Sequence, residues 1–349
     1  MSKILVAMSG GVDSSVTAAI LKNEGHEITG ITLKLWGGEQ DKGCCSVSDV
    51  DDARRVAQQL DIDHFVFNYG DQFDKHVVQP YVDSHVAGMT PNPCIECNRH
   101  IKFDALVERS HRLGFDALAT GHHVRLSGLD EGARLRRGAD MGKDQSYVLY
   151  MLASKDLSYL RFPVGDLSKE AVRKYATELG LRTADKPDSQ DVCFITADNG
   201  REKFLAERVE LHPGNLVDAD GKVVGSVEAI ELVTVGQRKG LDLGGNSGRS
   251  YAVAVDVPSR KVRVGNASEL KSGSVALTDF SWAEAPFSGE VLAQTSAHGK
   301  PASGWLDANG TLTWDSKRQR VAAGQAVVFY HDDLVIGGAI AKQGALLEE

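Results

Sequence analysis

Two sets of residues in this chain carry chemistry in their spacing. The first is Ser9-Gly10-Gly11-Val12-Asp13-Ser14, which follows the apolar run Ile4-Leu5-Val6-Ala7 and leads into Val16-Thr17-Ala18-Ala19-Ile20-Leu21. That pattern reads strand, tight turn, helix. Such a turn holds phosphate. Glycine lets the backbone approach an anion, and the exposed N–H groups at the positive end of the helix dipole stabilise its oxygens. Ser9 and Ser14 supply hydroxyls, and Asp13 is the one carboxylate placed to hold Mg2+ between phosphates. No Gly-Lys-Ser/Thr follows, so this is not a Walker A loop. The second set is Cys94 and Cys97, spaced C-x-x-C behind Pro91 and Pro93, with Cys193 lying 96 residues beyond Cys97. Five cysteines, an odd number in a chain without an export signal, argue against a disulfide framework and for thiols, metal ligation or catalysis. The adjacent Cys44 and Cys45 have diverging side chains and read as incidental thiols.

The elements that must position these groups alternate. His26 to Leu35 reads as a second strand, Asp49 to Leu60 has helical spacing, and Phe65-Val66-Phe67 makes a third strand. Strands separated by helices imply right-handed crossovers and a doubly wound parallel sheet, an α/β fold with ligands beyond the carboxyl ends of its strands. Residues 9 to 14 fall on that edge, and so does Leu33, read against the base of a nucleotide. Residues 80 to 98 leave the pattern, and the two prolines predict a stiff exposed loop before a helix over Arg99 to Leu113. A buried strand, Asp116 to Thr120, then ends in Gly121-His122-His123. Two consecutive histidines with no third ligand point to a polar contact with nucleotide or RNA rather than to a metal. A hairpin through Arg134, Arg136 and Arg137 follows, then a helix opened by Lys143-Asp144-Gln145, and a helix over Ser168 to Leu179 closed by Gly180. The polar stretch Asp185 to Val192 delivers Cys193.

From about residue 200 short strand-like pieces, among them Ala229 to Val235, are divided by Gly, Asn, Pro and Asp, an all-β signature. The expected division is a catalytic domain over 1–200, a small central β-rich module over 201–270 and a β-barrel-like module over 271–349. No run approaches the ~20 apolar residues needed to span a bilayer, and neither a signal peptide nor an Arg-rich presequence is present, so a cytoplasmic location is expected. The net charge of −9 does not advertise nucleic-acid binding, but residues 233 to 263 hold 6 Lys/Arg against 2 Asp/Glu. Such a local basic patch is compatible with RNA.

The Ser9 to Ser14 stretch resembles the SGGxDS signature of the PP-loop ATP pyrophosphatases. That resemblance implies cleavage of ATP between its α and β phosphates, adenylation of a substrate oxygen, and displacement of AMP by a nucleophile. Three thiols beside such an ATP suggest sulfur as that nucleophile. Further motifs follow in one order: Asn92-Pro93-Cys94-x-x-Cys97-Asn98, Gly121-His122, Lys143-Asp144-Gln145-Ser146-Tyr147, Asp188-Ser189-x-x-x-Cys193-Phe194-Ile195 and Gly236-Gln237-Arg238-Lys239-Gly240-Leu241. Together they are similar to the tRNA-specific 2-thiouridylase family across essentially the whole chain, weakening after about residue 270. The resemblance implies sulfur installed at the 2-position of the wobble uridine of lysine, glutamate and glutamine tRNAs, with ATP, Mg2+ and a sulfur donor or relay protein. It implies that Ala7, Met8, Ser9, Gly10, Gly11, Val12, Asp13, Ser14, Leu33 and Gly121 bind ATP, and that Asn92, Pro93 and Cys94 border the target base. His122, Lys143, Asp144, Gln145 and Gln325 are implied to touch tRNA, Cys97 to be the nucleophile, and Cys193 to carry a persulfide. A transient Cys97–Cys193 disulfide follows from those two roles. A splayed wobble base suits them, since single-stranded loop bases flip at modest cost.

The chain departs from some family members at two places. Cys94 stands where others carry Asp, and Ser296-Ala297 where others carry an Arg-Tyr pair. With three thiols, a [4Fe-4S] cluster on Cys94, Cys97 and Cys193 with one open iron stands beside the persulfide reading. Local charge favours a metal at Cys193, because Asp188 and Asp191 lie near it in sequence with only Lys186 as a cation. Two other classes compete: a PP-loop ligase that adenylates a metabolite carboxylate, and a non-catalytic, metal-dependent RNA-binding protein.

Overall fold

Strand β1 (Lys3–Ala7) buries Ile4, Leu5 and Val6 on both of its faces. Its neighbours explain why. With β2 (Glu27–Lys34), β3 (Asp63–Asn68), β4 (Ala117–Thr120), the hairpin strands β5 (Val124–Ser127) and β6 (Arg134–Arg137), and β7 (Leu160–Arg161) defined, one sheet has the order β3-β2-β1-β4-β7. All four pairings in it are parallel. Helices α1 (Val12–Asn23) and α2 (Val47–Gln59), together with the helix Lys169–Glu178, cover one face through Val16, Ala53, Val56, Val172 and Ala176, meeting Ile4 and Val6. The helical stretch ending in Leu106–Arg112 lies against β4. The expected α/β parallel sheet is therefore present. Its order reverses between β1 and β4, which makes the gap beyond their carboxyl ends the switch point where such sheets bind ligands. The edge strand β3 leaves Phe65 54% exposed.

The computed structural model describes residues 1–35, 47–128, 132–188, 192–195, 200–243 and 250–344. Cys44, Cys45 and Asp191 lie outside the described residues. The chain divides into two compact units. The first holds Met1–Val77, Cys94–Thr196 and Asp332–Ile336; the second holds Val78–Pro93, Ala197–His331 and Gly337–Glu349.

In the second unit β8 (Gly214–Val217), β9 (Val223–Val227), β10 (Asp242–Leu243), β11 (Tyr251–Asp256) and β12 (Lys261–Gly265) form a sheet of order β10-β9-β8-β12-β11 around Leu216, Ile230, Ala252 and Val262. The longer strands β13 (Lys271–Trp282), β14 (Gly289–Gln294), β15 (Ala302–Leu306), β16 (Thr311–Gln319), β17 (Ala326–His331) and β18 (Leu334–Ala341) run in the order β13-β16-β15-β14-β17-β18. β13 also pairs with β18 through Leu277–Ala341 and Trp282–Gly337, which closes a barrel. The β-rich character expected after residue 200 is borne out.

Three local expectations are corrected. Helix begins at Pro93, not Arg99: Pro93–Glu96 is α-helical, and a π-helical segment runs from Cys97 to Ala105. Proline in a first turn lacks only an N–H that has no intrahelical partner anyway, so Cys97 rides on a helix. A second helix, Gln79–Val86, accommodates Pro80 in the same way. Within Ala229 to Val235, Ile230–Leu232 is a 3-10 turn rather than strand, because the Glu231 side chain turns inward to accept the His212 N–H and ring at 3.0 and 2.9 Å.

Candidate active site

Gly10 takes a φ of +75°, and a Cβ there would stand 2.3 Å from the Asp49 carbonyl oxygen, so the bend is open to glycine alone. Gly11 begins α1 without a side-chain cap, which leaves the first N–H groups for a ligand. The Ser14 hydroxyl accepts from the Ser9 N–H at 3.1 Å and donates to the Gly11 carbonyl at 3.1 Å, fixing the curve of the loop. Gly121, at the end of β4, is packed against it: a Cβ would lie 2.6 Å from Ser14 N. Thus the two glycine motifs meet at the switch point, as their positions on the sheet require. Leu33 is buried in β2.

Asp13 sits at the mouth of this cradle. Both its oxygens accept from Lys169 Nζ at 2.8 Å, and Oδ1 lies 3.1 Å from His123 Nε2. Burial alone raises the Asp13 pKa, yet His123 and Lys169 together bring it below the usual carboxylate value. Lys169 is 9% exposed and opens the helix whose N-cap is Ser168. Its ammonium also lies 2.8 Å from Asp188 Oδ1. Asp188 in turn accepts from Lys143 at 2.7 Å and from Arg173 at 3.0 Å. Burial pushes Asp188 up, but Lys143 and Lys169 outweigh it and hold the acid at about 2. One continuous chain of alternating charge therefore runs from Lys143 through Asp188 and Lys169 to Asp13.

An ionised carboxylate and a buried lysine at a glycine cradle fit a magnesium nucleotide. Asp13 and Ser14 would be the residues to hold such an ion and its phosphates, and the ion would supply charge neutralisation there.

The thiols are tied to the same edge. Cys97 is buried where the helix begun at Pro93 turns π-helical, and the next residue, Asn98, donates to the Val148 carbonyl at 3.1 Å. Val148 belongs to the helix Ser146–Leu149, entered through Gln145. Gln145 exchanges hydrogen bonds with the His123 backbone at 2.9 and 3.1 Å, and His123 reaches Asp13. Cys193 is half-buried, and the ring of Phe194 packs edge-on against Phe73 at 5.8 Å. Phe73 ends a short helix, Gly70–Phe73, that touches the Cys97–Ala105 segment.

Cys94 is exposed, and among the described residues no three Cys, His, Asp or Glu side chains are grouped to hold a metal ion. The Cys94, Cys97 and Cys193 ligand set for a cluster is thus not assembled among them. Of the two carboxylates expected to favour a metal at Cys193, Asp191 lies outside the described residues. Asp188 is neutralised by Lys143, Lys169 and Arg173, while Lys186 is spent on Asp49 and Asp52 at 2.7 Å each.

Asp144 is consumed internally. Its carboxylate accepts from Arg137 Nη1, Gly138 N, Ser146 N and Ser146 Oγ at 2.8–3.0 Å, with the paired side chains 5% and 3% exposed. His122 is buried between Phe103 and Phe162, donates to or accepts from Thr120 Oγ1 at 2.7 Å, and burial holds its pKa well below the ordinary value. Asn92 and Pro93 belong to the second unit, where Gln325 Nε2 donates to the Thr90 carbonyl two residues before Asn92. The sequence reading did not single out Lys169. A lone lysine at a helix start has no spacing signal, and only the fold brings it to Asp13.

Three family models cover the chain: "tRNA methyl transferase HUP domain" over residues 2–197, "tRNA methyl transferase PRC-barrel domain" over 202–266 and "Aminomethyltransferase beta-barrel domain" over 272–341. A protein of Herpetosiphon aurantiacus named tRNA-specific 2-thiouridylase MnmA is 44% identical over 97% of this chain and 98% of its own length. The chain belongs to the tRNA-specific 2-thiouridylase family. Relatives of the same name in Carboxydothermus hydrogenoformans, 43% identical over 98% of both chains, and in Roseiflexus, 42% identical over 97% and 98%, agree. Membership in the 2-thiouridylase family bears out the resemblance read from the sequence motifs, and no helix among the described residues is long and apolar enough to cross a membrane.

Proposed function

We propose that this chain is an ATP-dependent tRNA-uridine 2-sulfurtransferase that forms 2-thiouridine at the wobble position of lysine, glutamate and glutamine tRNAs in the cytoplasm. One observation carries the reading: the helix that bears Cys97 is hydrogen-bonded, through Val148, Gln145 and His123, to the carboxylate of the phosphate loop. Ala7 to Ser14, Leu33 and Gly121 bind ATP with Mg2+ at Asp13, while Lys169 faces the phosphates. Asn92, Pro93 and Cys94 border the uridine. Lys143 and Gln145 meet the tRNA, and His122, buried between Phe103 and Phe162, acts from behind through Thr120. Asp144 and Gln325 act from behind, by holding Ser146 and Thr90 in place. The three-module division at residues 200 and 270 is part of the same proposal.

The uridine 2-oxygen attacks the α-phosphate of ATP, the α–β bond breaks, and pyrophosphate leaves. A donor or relay protein has loaded Cys193 as a persulfide. Its terminal sulfur bonds to uridine C2, the C2–O bond breaks, and AMP leaves with the oxygen. Cys97 thiolate takes the Cys193 sulfur as the S–S bond breaks, giving a Cys97–Cys193 disulfide that a thiol reductant returns to two thiols. Pre-organised charge at the phosphates is the largest expected catalytic contribution.

The test is incubation of the purified chain with ATP, a persulfide donor and unmodified glutamate tRNA. Thiolated uridine with one AMP per sulfur is the expected result; AMP release without thiolated RNA, or neither product, contradicts it.

A further inference from the structure

The stretch Gly236-Gln237-Arg238-Lys239-Gly240 takes no part in the chemistry above, yet the second unit builds it with care. Gly236 and Gly240 adopt φ values of +91° and +75°, the left-handed region that frames a tight turn. Gln237 staples it from inside. Its Oε1 accepts from the Thr234 N–H at 3.1 Å and its Nε2 donates to the Lys239 carbonyl at 2.9 Å. Backbone bonds from Gly236 N to Ala252 O at 2.8 Å and from Ala252 N to Gln237 O at 2.9 Å fasten the turn to β11. What this leaves at the tip is Arg238 and Lys239, both exposed and neither ion-paired among the described residues.

The turn has a neighbour of the same sign. A Cβ on Gly236 would lie 2.9 Å from Gln319 Nε2, so the turn runs beside the end of β16, where Lys317 and Arg318 are exposed. Across from Gln319 on β13 stands Lys271, also exposed. Asp242 and Asp315 are the exposed carboxylates of β10 and β16 on the other side of the balance. Five cations against two anions, in a chain of net charge −9, select for a polyanion. Arg238 and Lys239 are presented by a turn rather than on a groove-sized helix, so they suit phosphate oxygens and not base edges.

We propose that the Gln237-stapled turn, with the neighbouring end of β16, is a docking surface for the phosphodiester backbone of the tRNA. It rests on the RNA substrate proposed above. Phosphate contacts set register and orientation without reading sequence, so this surface raises affinity for any folded tRNA and leaves the choice of base to the active site.

The measurement is tRNA binding by the full chain across a salt series, with glutamate tRNA and a non-substrate tRNA transcript as probes. Arg238→Ala combined with Lys239→Ala weakens both tRNAs roughly tenfold at low salt and reduces the slope of log Kd against log salt by about 1.5, near the value for two lost phosphate contacts. The KM for ATP and the kcat at saturating tRNA stay at wild-type values. The exchange variant Arg238→Lys with Lys239→Arg keeps the slope, because charge and not side-chain shape is read. Gln237→Ala, which keeps both charges but removes the staple, falls between. An unchanged slope in the double alanine variant overturns the proposal while wild-type thiolation leaves the enzyme reading intact. A loss of sulfur delivery from a protein donor with tRNA binding unchanged assigns the surface to that protein and overturns it equally. If the wild type binds tRNA with the expected slope but thiolates nothing, the docking surface stands and the proposed reaction falls.

Discussion

At the scale of single residues the site is an exercise in shared charge. Lys169 stands between Asp13 and Asp188 at 2.8 Å from each, so a triphosphate entering the cradle finds a cation already desolvated and oriented. Lys169→Met is expected to lower AMP release by on the order of a hundredfold, the scale found when one pre-organised donor is removed; Lys169→Arg restores part of it. Asp144 poses the opposite case. Exposed pairs such as Lys3–Glu27 are worth about 0–1 kcal/mol, but the buried Arg137–Asp144 pair leaves an uncompensated charge when cut. Asp144→Ala is therefore expected to cost about 3–5 kcal/mol of stability, measured by denaturant unfolding; a stable variant that loses only RNA affinity would show Asp144 to be a direct contact. Spacing made the PP-loop and the cysteines legible. Lys169 as a partner of Asp13 was not, because it stands alone in sequence and converges on Asp13 through tertiary packing.

At the scale of elements, glycine positions and helix ends decide what the site can hold. Gly121 abuts Ser14 N so closely that a methyl group there enters the cradle. Gly121→Ala is expected to raise the KM for ATP at least roughly tenfold, since it displaces backbone N–H groups that meet phosphate, with secondary structure unchanged by circular dichroism. The strands and helices of the parallel sheet were legible from alternating periods of 2 and 3.6 residues. The π-helical segment from Cys97 was not, for such turns leave no distinctive period in the apolar pattern and are known chiefly as single-turn features at functional sites. Nor was the two-residue strand β7, which is too short to alternate.

At the scale of the whole chain, His85 and Asp188 are among the titrating groups that shape the response to acid. His85 in the second unit is buried, with its Nε2 lacking a hydrogen-bond partner among the described residues. Burial, with Arg201 nearby, lowers its pKa from 6.5 to about 4. Between those values the unfolded chain binds the proton and the folded chain does not, so this contribution to stability is full above pH 6.5 and lost as pH falls towards 4. Asp188, held at about 2 against an ordinary 3.8, contributes stability above pH 3.8 that disappears only towards pH 2. Thermal midpoints across pH 7 to 4 are expected to fall, and His85→Gln to flatten that fall; an equally steep fall in the variant assigns it to other groups.

The central claim is that Cys97 and Cys193 act on one uridine in the same turnover. Acid-quenched single turnover with persulfide-loaded enzyme, ATP and glutamate tRNA, followed by peptide mass analysis without reductant, tests it most directly. The account predicts one Cys97–Cys193 disulfide for each thiolated uridine and none when ATP is omitted. Thiolated uridine formed with both cysteines still reduced would contradict it.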